Sequence, residues 1–131
     1  MNRKKIMNIF ALGILLVLAA CSGTANTDSA TKEQSYSVTM RVLPEPPVVG
    51  DVLLYFTVLH ANGEPVIGAN VAVSADHTDM TGMGMHGDAT DQGKGVYAVT
   101  TNFSMTGNWK ITIELSDGTD KFNQDFDLII N

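Results

Sequence analysis

Trp109-Lys110-Ile111-Thr112-Ile113-Glu114-Leu115 places a large apolar side chain at every second position and a polar one between. That period of two belongs to a strand with one buried face, because successive side chains point to opposite sides of a sheet. Working outward, Asp117-Gly118 predicts a turn and Phe122 to Ile130 a closing strand. Upstream, Val96 to Phe103 predicts another strand.

The same pattern reaches the start of the domain. Tyr36, Val38, Met40 and Val42 alternate with Ser37, Thr39 and Arg41, and Pro44-Glu45-Pro46-Pro47 breaks the run before a second apolar stretch from Val52 to Leu59. Asn62-Gly63-Glu64-Pro65 predicts a turn just after His60, and Val66, Ile67, Val71 and Val73 mark a further extended piece bent at Gly68. No helical period appears outside the first twenty residues. Residues 36–131 therefore predict one all-β domain, an immunoglobulin-like antiparallel β-sandwich of six to seven strands. With no cysteine pair, its core must carry the fold, and Phe56, Tyr97, Trp109 and Phe126 are read as core.

Residues 1–20 read as a cleaved signal peptide: Arg3, Lys4 and Lys5, an apolar run from Ile6 to Leu18, then Ala19 and Ala20. Leu18-Ala19-Ala20-Cys21 looks like a bacterial lipobox, which would make Cys21 the first mature residue and place lipid on its sulfur. Residues 21–35 then read as a lipid-anchored flexible tether, since Ser22 to Gln34 contains no large apolar side chain and such a stretch spans roughly 20 Å end to end. The expected location is the extracytoplasmic face of the cell membrane.

Cys21 is the single cysteine, so lipidation leaves no thiol on the folded domain. A thioredoxin-like C-x-x-C, a thiolate zinc site and a His/Cys electron-transfer copper centre are all excluded. Beyond the signal, five basic residues face fourteen acidic ones, a formal charge of −9. That balance disfavours nucleic acid and anionic lipid headgroups as partners.

Soft-ligand capacity concentrates in His77-Thr-Asp-Met80-Thr-Gly-Met83-Gly-Met85-His86-Gly87, with Met105 further on. Thioethers are neutral, soft ligands that suit Cu(I), and imidazole also binds copper, whereas calcium and magnesium take oxygen. The candidate metal ligands are Met83, Met85, Met105, Met80, His86 and His77. The competing reading is a flexible loop whose methionines are incidental or pack beneath it. Asp76, Asp79, Asp88 and Asp91 flank the cluster without the spacing of a calcium loop. No G-x-S-x-G, H-E-x-x-H or phosphate loop is present, and the expectation is a binding protein and not an enzyme.

Whether Met105 joins the cluster is a question of chain path, because a strand of eight residues is roughly 26 Å long and its two ends cannot share one ion. If 77–94 were one loop, the cluster and Met105 would lie at opposite ends of the sandwich. The arrangement expected here makes Asp79 to His86 a weak, glycine-bearing edge strand, which brings the His77 to Met80 end beside Met105 and requires the segment to curl if Met83 and Met85 are to join.

Gly63-Glu64-Pro65-Val66-Ile67-Gly68-Ala69-Asn70-Val71, then Met80-x-x-Met83-x-Met85, Gly95-x-Tyr97 and Phe103-x-Met105-x-Gly107-x-Trp109 resemble the YtkA-like family, which is related to FixH. The match runs from Gly63 to Leu115, and its methionine cluster followed by F-x-M-x-G-x-W is the specific part. The resemblance implies a small extracytoplasmic sandwich domain and, through FixH, a link to copper supply. Met83, Met85 and Met105 carry over best; His77 and His86 come from reading the residues. Family members commonly have proline beside the first methionine, where this chain has Thr81. The function implied is a lipid-anchored Cu(I)-binding protein that passes its ion to a membrane oxidase-assembly or copper-transport partner. The alternative is a metal-free sandwich module for adhesion or assembly at the cell surface.

Overall fold

A computed structural model describes residues 35–131. The expected signal peptide, Cys21 and nearly all of the expected tether lie outside these residues. Seven antiparallel strands account for the rest: β1 (Tyr36–Leu43), β2 (Gly50–His60), β3 (Asn70–His77), β4 (Gly84–Gly93), β5 (Val96–Phe103), β6 (Gly107–Asp117) and β7 (Asp120–Ile130). Their order is β1-β2-β5-β4-β3-β6-β7. Among the described residues no helix is long and apolar enough to cross a membrane.

The alternating stretch in β6 behaves as its period dictates. Trp109, Ile111, Ile113 and Leu115 are all buried, and β6 pairs with β3 on one side and β7 on the other. Across the core, β2 contributes Val52, Leu54, Phe56 and Val58, each without solvent exposure. Burying such side chains contributes about 1.5–3 kcal/mol apiece, so the two facing layers hold the domain without a disulfide. Phe56, Tyr97 and Trp109 are fully buried as expected, while Phe126 is half-buried and tilts against Phe56 at 6.1 Å between ring centres.

β4 departs from the sequence expectation. The extra strand is Gly84–Gly93, not Asp79 to His86, and it is not an edge. Its first half pairs with β3, from Asp76 opposite Gly84 to Val71 opposite Ala89. Its second half crosses to β5, with Thr90 opposite Ala98 and Asp91 opposite Tyr97, and a bulge before Gly93. One strand thus joins the two layers, as happens where a strand switches sheets through a bend or bulge. The turn between β3 and β4 occupies residues 78–83, within the stretch expected to be strand, and Gly82 there takes a φ of 81° that other residues rarely adopt.

The remaining edges, β1 and β7, approach each other without a ladder, and Gln124 Nε2 reaches the Val38 carbonyl at 3.5 Å. Tyr97 locks the β2–β3 connection: its hydroxyl donates to the Val66 carbonyl at 3.0 Å and accepts from the Ala69 amide at 3.1 Å. Gly95, in the turn between β4 and β5, lies against this connection with a φ of 77° and space for no Cβ, which would lie 2.6 Å from the Val58 carbonyl oxygen. The G-x-Y spacing of the sequence is therefore a packing requirement of this corner.

Candidate metal centre

Four chain segments meet at one end of the sandwich: residues 44–49 between β1 and β2, 78–83 between β3 and β4, 104–106 between β5 and β6, and the end of β7. Register fixes this, since Gly50 lies opposite Phe103, His77 opposite Trp109 and Gly107 opposite Ile130. The Val49 amide donating to the Asn131 carbonyl at 3.2 Å ties the two layers there. All four methionines of the candidate set belong to this end. The extra reversal of direction expected from the sequence does bring the His77 to Met80 end beside the loop that carries Met105.

The strand β4 sorts the cluster by period. Met85, opposite Ala75, faces inward and packs on the core, as does Met105. His86, one residue on, lies opposite Ser74 and is exposed on the outer face. Met83 is half-buried at the strand entrance, and Met80 is exposed in the turn. β4 and β5 separate below Thr90 and Ala98, leaving a small cleft of about 90 Å³ that Met85 shares with Val99 and Thr101. The Met83 and Met105 segments come together through His77, whose amide meets the Met83 carbonyl and whose ring meets the Thr106 carbonyl.

His77 ends β3 and is only 7% exposed. Its ring stands edge-on to Trp109 at 5.0 Å, and Trp109 stands likewise to Phe103 at 5.0 Å. Nδ1 accepts from the Asp79 amide at 3.2 Å, and Nε2 lies 3.2 Å from the Thr106 carbonyl oxygen, which can only accept. The His77 backbone amide donates to the Met83 carbonyl at 2.9 Å. Thr78 donates twice to the Asn108 carbonyl, from its amide at 2.9 Å and its hydroxyl at 3.1 Å. Trp109 Nε1 reaches the Met105 carbonyl at 3.4 Å.

Among the described residues, no three His, Cys, Asp or Glu side chains converge in a way that could hold an ion. What the end offers is sulfur: half-buried Met83 and Met105 on two adjoining loops, half-buried Met85 at the start of β4, and Met80 exposed beside them. Five of the six exposed large apolar side chains also belong here, namely Leu43, Val48, Val49, Met80 and Ile129. Charges in these loops and at the start of β2 are acidic only, at Glu45, Asp51 and Asp79. The sequence could not show the part played by His77 and Gly107, because their partners lie about thirty residues apart along the chain.

Fold and site together define a small seven-stranded β-sandwich with a methionine-bearing end. The chain belongs to the YtkA-like family, whose sequence profile covers residues 30–114. No curated protein matches it by sequence. Among solved structures, a copper-bound variant of FetP from uropathogenic Escherichia coli is similar at a TM-score of 0.50 and 12% identity, covering 74% of this chain and 90% of that one. The PmoD soluble domain from a Methylocystis species is similar at 0.48 and 14% identity, covering 73% and 90%. MtrC from Shewanella baltica is similar at 0.49 and 19% identity, with 73% of this chain matched to 22% of that one. At 12% identity the likeness to FetP is one of fold alone.

Proposed function

We propose that this chain is an extracytoplasmic copper-binding protein that holds Cu(I) through Met83, Met85 and Met105, with Met80 beside them, and passes it to a membrane oxidase-assembly or copper-transport partner. The observation that carries this reading is the gathering of these methionines on adjoining segments at one end of a domain without cysteine. Neutral thioethers hold a soft monovalent ion without a charge pair to trap it, which suits a cargo that must be released. The copper-bound FetP, of the same fold, lends support of a general kind. The apolar, acidic surroundings of the methionines support handover against another protein surface. The role is binding and delivery, not catalysis, and lipid on Cys21 would keep the carrier at the membrane.

The test is a titration of Cu(I) against the chain lacking residues 1–21, in competition with a colorimetric chelator. Replacing Met83, Met85 and Met105 together by Leu preserves apolar volume and removes sulfur. At least a hundredfold loss of Cu(I) affinity is expected, and unchanged affinity would end the assignment. The second reading, a metal-free adhesion or assembly module, draws on the packing of Met85 and Met105 against the core. That reading gains if the starting protein itself fails to compete for Cu(I).

A further inference from the structure

We infer that His77 is a positioning residue and not a copper ligand: its buried imidazole clamps the β3–β4 turn to the β5–β6 loop and so holds the segments of Met83 and Met105 side by side. This rests on the Cu(I) reading only for what the clamp serves. The clamp itself stands on hydrogen bonds.

An imidazole can bind a metal only through a nitrogen with a free lone pair. A carbonyl only accepts, so the Nε2 that faces the Thr106 oxygen carries the proton; a backbone amide only donates, so the Nδ1 that faces Asp79 carries the lone pair. Both nitrogens are occupied. Ligation through Nδ1 would orphan the Asp79 amide and open the turn; ligation through Nε2 would move the proton and break the link to residue 106. The ring cannot swing away either, being buried with its edge toward Trp109.

The same residue touches both methionine loops. Its amide holds the Met83 carbonyl, and its ring holds Thr106, the neighbour of Met105. Gly107 is shaped to this ring: a Cβ there would lie 2.6 Å from His77 Nε2, and the backbone φ is 129°. The G in F-x-M-x-G-x-W is thereby the seat of the histidine. Removing an outer support of this kind typically weakens metal binding 10- to 100-fold while the ligands remain.

The experiment uses the full chain and Cu(I) alone as probe. In the metal-free protein, long-range nitrogen–proton NMR should show the His77 proton on Nε2, and His77→Ala should speed amide exchange at Asp79 and His77 at least tenfold. In the Cu(I)-loaded protein, X-ray absorption should show sulfur neighbours whose number falls in His77→Ala, together with about a tenfold weaker affinity. His77→Gln, which keeps a side-chain donor and acceptor, should recover part of both and guards against simple misfolding of the alanine variant. An imidazole signal at copper that disappears in His77→Gln would overturn the inference, and so would unchanged exchange at Asp79. If the unaltered protein binds no Cu(I), the proposed function fails, and the NMR and exchange results alone decide the clamp.

Discussion

Single residues at this end differ in how openly the sequence announces them. Met83 and Met85 are conspicuous because methionines crowd a glycine-rich stretch, whereas His77 resembles His86 until the strand register separates them. Period two then turns Met85 inward and His86 outward, and His77 falls in line with buried Val71, Val73 and Ala75. Tyr97 is a comparable case at the other end, where a core aromatic also fastens two backbone groups. Tyr97→Phe keeps the ring and orphans the Ala69 amide and the Val66 carbonyl. A loss of about 1–3 kcal/mol is expected, read as a lower urea midpoint with unchanged slope.

Among the elements, six strands carry a signal of their own, and the seventh, expected as an edge at Asp79 to His86, lies instead at Gly84–Gly93 inside the order. β6, β2 and β1 carry their own period of large apolar residues, and burial of that face makes a strand the only stable outcome. Gly84-Met-His-Gly-Asp-Ala-Thr-Asp-Gln-Gly93 contains no β-branched or aromatic residue apart from Thr90 and His86, and two of the first four are glycines. It becomes a strand because β3 and β5 each offer it a ladder, a tertiary cause with no local trace. The expected reversal still brings Met105 beside the His77 to Met80 end, but which of Met85 and His86 faces inward depends on the β3–β4 register. Gly107→Ala tests the junction between the loops: the added methyl group would press on the His77 ring in a strained backbone conformation. Faster amide exchange confined to residues 77–83 and 104–108 is expected, with β2 and β5 protected as before.

For the whole molecule, stability should be lost on the alkaline side. Burial, foremost, raises the pKa of Tyr97 and of Tyr36 above the ordinary tyrosine value of 10.0, and for Tyr36 the nearby Asp117 and Asp120 push the same way. A phenol whose pKa is raised in the folded state favours folding while it stays protonated, so this contribution is complete below pH 10 and disappears as pH climbs through the folded value. Urea midpoints measured from pH 8 to pH 11 should be flat at first and fall above about pH 10. In Tyr97→Phe the fall should be shallower.

The two ends of the sandwich also differ in how the chain arrives. Tyr36 opens β1 beside His60, at the end opposite the methionines, and β1 then runs eight residues toward them. At about 3.3 Å per residue that is a rigid standoff of roughly 26 Å. Any ion held by Met83 and Met105 is therefore carried at the tip of a stiff post and presented outward from its base. Met83 and Met105 therefore lie at the end of the sandwich farthest from the residue where β1 begins.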